Sequence, residues 1–98
     1  MEWKFFQEEV SNYDKKYGWE RDKASHVVLH LSEELGEISR LMLRYEGYKK
    51  EEFKSEELGQ ELTDLLYLAL KLANKFNLKL DKEWEIMWER YQGKVNRR

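Results

Sequence analysis

The stretch Asp22–Tyr45, DKASHVVLHLSEELGEISRLMLRY, decides the fold. Its Ala24, Val28, Leu31, Leu35, Ile38, Met42 and Tyr45 follow one another at intervals of 4, 3, 4, 3, 4 and 3. That repeat holds apolar side chains on one seam of a helix packed against another helix. Asp22 offers an N-cap oxygen and Gly47 a stop. A strand would alternate apolar and polar at every second position, and this stretch does not. Downstream, residues 46–54 are mostly polar, carry Gly47 and mixed charges, and read as a connection. Ser55 then caps a third helix with Glu56 and Glu57 in its first turn, and Leu58, Leu62, Leu65, Ala69, Leu72 and Phe76 repeat the seam. Asn77 or its neighbours end it. Asp81 caps a fourth helix whose apolar side is Trp84, Met87, Trp88 and Tyr91, and the basic tail from Gly93 to Arg98 is expected to fray. Upstream, a first helix runs from about Glu2 to Lys16 with Trp3, Phe6, Val10 and Tyr13 at spacings of three and four, ending before Gly18.

The expected architecture is therefore all-α, a single domain over residues 1–98, with the second and third helices antiparallel in a four-helix bundle. The 98 residues suffice for one core and not for two. Trp3, Phe5, Phe6, Trp84, Met87 and Trp88 are more apolar bulk than so small an interior takes in, so the bundle is expected to be completed by homo-oligomerisation, as a homodimer or homotetramer.

Composition excludes several kinds of function. With no Cys, the chain has no disulfide framework, thiolate zinc site or thiol nucleophile, and a cytoplasmic location is expected. Eighteen basic against 20 acidic side chains give a formal charge of −2, so no global positive field holds a nucleic-acid backbone. The longest apolar run, Leu65–Leu70, is far below the roughly 20 residues of a membrane span, and the start of the chain has no basic region followed by an apolar one. No Gly-rich phosphate loop or serine elbow is present.

The acids carry the chemistry. Glu33, Glu34 and Glu37 follow EExxE on the second helix, and Glu61 and Asp64 follow ExxD on the third. At 100° per residue, Glu34 lies about 70° from the centre of the seam and Glu37 about 130°, while Glu33 points away. Glu61 and Asp64 lie about 60° and about 120° round one flank of the third helix. Antiparallel packing brings these flanks together, and four carboxylates in one cleft each need a proton or a cation. Mg²⁺, with its demand for oxygen ligands, suits such a cleft, and His26 and His30 alone are too few imidazoles for zinc. The plain alternative is a solvated face with intrahelical ion pairs.

Leu31-Ser32-Glu33-Glu34-Leu35-Gly36-Glu37-Ile38 followed by Glu61-Leu62-Thr63-Asp64-Leu65-Leu66-Tyr67 resembles the paired signature of the MazG-type all-α nucleoside triphosphate pyrophosphohydrolases. The resemblance spans Trp19 to Tyr91. It implies a MazG-like bundle and Mg²⁺-dependent hydrolysis of a nucleoside triphosphate to monophosphate and pyrophosphate. It places the metal ligands on Glu34, Glu37, Glu61 and Asp64. Glu34 or Glu37 would then accept the proton of the attacking water. Several relatives end with Lys-x-x-x-Asn-x-x-Arg-Tyr; here Arg90-Tyr91 match, and Glu83 and Met87 stand at the Lys and Asn positions. Arg90 is a candidate phosphate contact on that ground. Lys71 and Lys75, on the flank of Asp64, are further candidates, and their alternative is a solubilising stripe. Trp19, in the loop before the second helix, is the candidate for base stacking. Two rival functions stand beside this one: phosphoribosyl-ATP pyrophosphohydrolase, a relative that cleaves the same bond, and a non-catalytic helical interaction module whose acids pair with Lys and Arg.

Overall fold

The computed structural model describes residues 2–96. Helix α1 spans Trp3–Tyr17, a 3-10 turn covers Trp19–Arg21, α2 spans Ala24–Tyr45, α3 Ser55–Lys75 and α4 Leu80–Asn96, with no strand among the described residues. Gly18 ends α1 at φ 77°, a left-handed conformation that only glycine adopts without strain, and its N–H returns to the carbonyls of Asp14 and Lys15.

The expected caps are placed differently. Lys23 and Lys54 occupy the N-cap positions of α2 and α3, and neither makes a side-chain cap bond. Asp22 and Ser55 therefore do not cap. Asp22 turns to Lys71 instead, because a buried ammonium needs a counter-charge more than a helix end open to water needs a cap. Asp81 lies inside the first turn of α4 and caps α1: its Oδ1 accepts the Trp3 N–H at 2.6 Å and its Oδ2 the Lys4 N–H at 3.2 Å. Gln7 of α1 answers in kind, its Oε1 accepting the Leu80 N–H at 3.0 Å at the head of α4. The tail does not fray as expected, since α4 continues through Gly93 to Asn96; Arg97 and Arg98 lie outside the described residues.

Helices α2 and α3 form an antiparallel hairpin: Arg44 at the end of α2 meets Glu57 at the start of α3, and Asp22 before α2 meets Lys71 near the end of α3. Helix α1 lies along α3, and α4 touches α1. The seam of α2 is rotated from the expected one. Val27 and Leu41 are buried and Leu31, Glu34 and Ile38 half-buried, whereas Val28 is 46% and Leu35 57% exposed. The stripe is wide enough for two partners, and α3 takes the edge nearer Glu34, a turn of about 70° from the expected centre. On α3, Leu68, Leu70 and Ala73 are buried, and of the expected seam Leu62, Ala69 and Phe76 are exposed. Helix α4 buries no residue; its Trp84 and Trp88 form an aromatic ladder from Trp3 to Tyr91, with ring centroids 5.6, 6.1 and 5.7 Å apart.

The molecule is open for its size. Its accessible surface is 8150 Å², where a compact chain of this mass exposes roughly 6,000 Å². Its radius of gyration is 16.5 Å, against roughly 12.5 Å for a compact domain.

Candidate functional site

The rotation of α2 moves Glu34 from the border of the packed face to its middle. Val27 and Leu41, one heptad on either side, are buried against α3 and hold that register. Glu34 thus meets Glu61 and Asp64 of α3, and each of the three offers a carboxylate oxygen within 4.8 Å of the others'. Glu34 and Glu61 are half-buried and Asp64 is exposed, so the cluster opens on one flank of the hairpin. His30, one turn before Glu34, places Nε2 3.6 Å from Glu34 Oε1.

The cluster stores unbalanced electrostatics. Glu61 Oε2 is withdrawn from solvent with no hydrogen-bond partner. With both carboxyls ionised, no hydrogen exists to place between Glu61 and Glu34, so a proton is one remedy. Hydrogen bonding to Glu34, then desolvation, then the charges of Glu34, Asp64 and Glu37 push Glu61 up to about 7. A hard divalent cation is the other remedy, and a set of three carboxylates fits one.

Of the four expected ligands, Glu34, Glu61 and Asp64 come together. Glu37 lies outside their group, exposed, yet near enough for its charge to act on Glu61. Glu33 is exposed, in line with its outward angle.

The expected substrate contacts fare differently. Lys71 is not on a solvent flank: it is 4% exposed, its Nζ lies 2.6 Å from Asp22 Oδ2, and it stands 5.8 Å from the centre of the Tyr67 ring. Lys75 Nζ donates to the Glu20 carbonyl at 3.1 Å. Both lysines are drawn in because the 3-10 turn and the end of α1 cover that flank of α3, which helical spacing within α3 does not reveal. Trp19 is 43% exposed in the turn and packs its ring on Tyr13 and Tyr17, with centroids 5.3 and 5.4 Å away. Arg90 lies on α4, beside an apolar groove shared with Leu66 and Ala69. Leu66 is about 160° round α3 from Asp64, so Arg90 is on the side away from the acids.

Two polar residues not singled out in the sequence, Asp14 and Arg44, prove central to the scaffold. Asp14, buried on α1, accepts a hydrogen bond from the Tyr67 hydroxyl; desolvation and that bond raise the phenol well above its ordinary range. Arg44 pairs with Glu57 through Nη1 at 3.1 Å and keeps Nε buried without a partner. One signal was available for Arg44: it lies seven residues beyond Glu37, on the same flank of α2.

No helix among the described residues is long and apolar enough to cross a membrane. Comparison with protein-family models, with curated proteins and with solved structures finds no match to this chain.

Proposed function

We propose that the chain is a Mg²⁺-dependent hydrolase that cleaves a nucleoside triphosphate to the nucleoside monophosphate and pyrophosphate. The observation that carries this reading is the convergence of Glu34, Glu61 and Asp64 from facing helices, with Glu61 Oε2 withdrawn from water and unpartnered. The order and spacing of those acids, with Glu37 beside them, resemble the MazG-type signature. Glu34, Glu61 and Asp64 would hold the ion. Bound there, Mg²⁺ supplies positive charge against the phosphates and makes water more acidic. Glu34, which faces both Glu61 and His30, belongs to the binding cluster. Glu37, beside the group and not within it, is the residue left to take the proton of the attacking water. Trp19, half-open on its aromatic cluster, offers a face to a base.

The same reading includes a homo-oligomer. Val28 and Leu35 on α2 and Leu62 on α3 are exposed and share one side of the hairpin, the side away from Glu37 and Asp64. The surface in excess of a compact monomer, roughly 2,000 Å² by the area law, is of the size an obligate homodimer covers on each copy.

Hydrolysis in ¹⁸O-labelled water with Mg²⁺ and a panel of nucleoside triphosphates tests the reaction. Label in the nucleoside monophosphate is the expected result, because attack is then at the α phosphorus. Label in orthophosphate or pyrophosphate, or no turnover of any substrate in the panel, sinks it.

A further inference from the structure

Among the described residues, two buried side-chain polar atoms have no hydrogen-bond partner: Oε2 of Glu61 and Nε of Arg44. They stand at neighbouring turns of one seam, since Arg44 pairs with Glu57 and Glu57 precedes Glu61 by one turn of α3. One atom is an acceptor and the other a donor. The acceptor belongs to the acidic cluster; the donor calls for an anion.

We propose that Arg44 is a ligand-binding residue, taking an oxyanion, specifically a phosphate group of a ligand whose other end lies at Glu34, Glu61 and Asp64. Three other cations of α2 and α3 are already engaged, and Arg40, one turn beyond Glu37, is exposed on α2 rather than set in the seam. Lys71 is held by Asp22 at 2.6 Å and Lys75 by the Glu20 carbonyl at 3.1 Å, while His30 faces Glu34. Arg44 makes one bond, from Nη1 to Glu57, and leaves the Nε edge of its guanidinium unused. That edge is the fork that grips a phosphate through two parallel N–H bonds.

Glu57 is the resting partner. Its side chain is 43% exposed, and an ion pair open to solvent on one side is a weak hold. A rotation of Arg44 towards a phosphate exchanges that hold for two charge-assisted bonds and gives the stranded Nε an acceptor. The inference rests on the hydrolase reading only for the identity of the anion.

Calorimetric titration of inorganic pyrophosphate in the presence of Mg²⁺ tests it in the whole chain, using wild type, Arg44→Ala, Arg44→Lys and Glu57→Gln. Arg44→Ala is expected to weaken binding at least about tenfold, and Arg44→Lys to restore part of the loss because the charge returns without the fork. Glu57→Gln is expected to tighten binding by about threefold or more, because it releases Arg44. A purely structural Arg44–Glu57 pair would have the opposite sign, with Glu57→Gln weakening binding alongside Arg44→Ala. That result overturns the proposal, as does a wild type that takes no pyrophosphate or an Arg44→Ala protein that binds it unchanged. Should Arg44→Ala fail to show the wild-type helical circular dichroism, the sign of the Glu57→Gln effect decides. Nucleotide turnover separates the two readings. Arg44-dependent binding without hydrolysis of any nucleoside triphosphate removes the hydrolase reading and keeps this one; hydrolysis with an unchanged KM in Arg44→Ala does the reverse.

Discussion

Glu34 and Glu61 bring carboxylate oxygens within 4.8 Å of each other across the α2–α3 seam, and Glu61 is pushed up to about 7, chiefly by the hydrogen bond that a proton between the two would make, with desolvation next. A carboxyl whose folded pKa is raised keeps its proton where the unfolded chain has lost it. Stability therefore falls as pH rises from the ordinary value of 4.5 to about 7. Melting temperature in metal-free buffer is expected to decline over that window, and Glu61→Gln, which cannot ionise, is expected to flatten the decline. A wild-type melting temperature that holds steady or climbs there contradicts the arrangement.

Asp64 is the exposed member of the acidic group, and its replacement leaves the packed face intact. If the proposed hydrolase reading holds, Asp64→Asn is expected to lower kcat by about two orders of magnitude or more, because the negative charge of a proposed Mg²⁺ ligand is lost and only a neutral amide oxygen remains. Its melting temperature without metal is expected to equal or exceed that of wild type, since repulsion among the acids is relieved. Steady-state kinetics beside thermal melts measure both, and full activity in Asp64→Asn at saturating Mg²⁺ refutes the assignment.

Lys71 is among the most buried polar residues, and Asp22 is its partner. Asp22→Ala strands the ammonium and is expected to cost about 2 kcal/mol in chemical denaturation. Adding Lys71→Met to that variant is expected to recover most of the loss. The hydrogen bond from Lys71 also lowers the Asp22 pKa, so this contribution is present above the ordinary carboxylate range and disappears as pH falls through the folded pKa. A coupling between the two substitutions below about 0.5 kcal/mol denies the pair its role.

Leu35 is 57% exposed on the apolar side of the hairpin. If that side is covered by a second copy, Leu35→Glu places a charge in the interface and shifts the chain towards monomer. Light scattering at micromolar concentration is expected to report at least a dimer for wild type and a smaller species for Leu35→Glu. Cooperatively folded monomer in wild type is the outcome that removes the oligomer.

What the sequence determined by itself is local. The four helices, the stop at Gly18 and the polar connection over residues 46–54 follow from periodicity, glycine and charge, which act within a few residues along the chain. The acids of α2 and α3 were legible for the same reason: EExxE and ExxD are spacings within single helices. Which edge of α2 would meet α3 was not legible, because its apolar stripe serves two faces and only packing selects Val27 and Leu41 over Val28 and Leu35. That choice brings Glu34 to Glu61 and leaves Glu37 outside. The partners of Asp22, Lys71 and Asp81 were equally hidden: each is claimed by a residue at least 49 positions away. Desolvation and hydrogen bonding between distant segments overrule the nearest helix end, and those forces exist only once α1, the turn and α3 have come together.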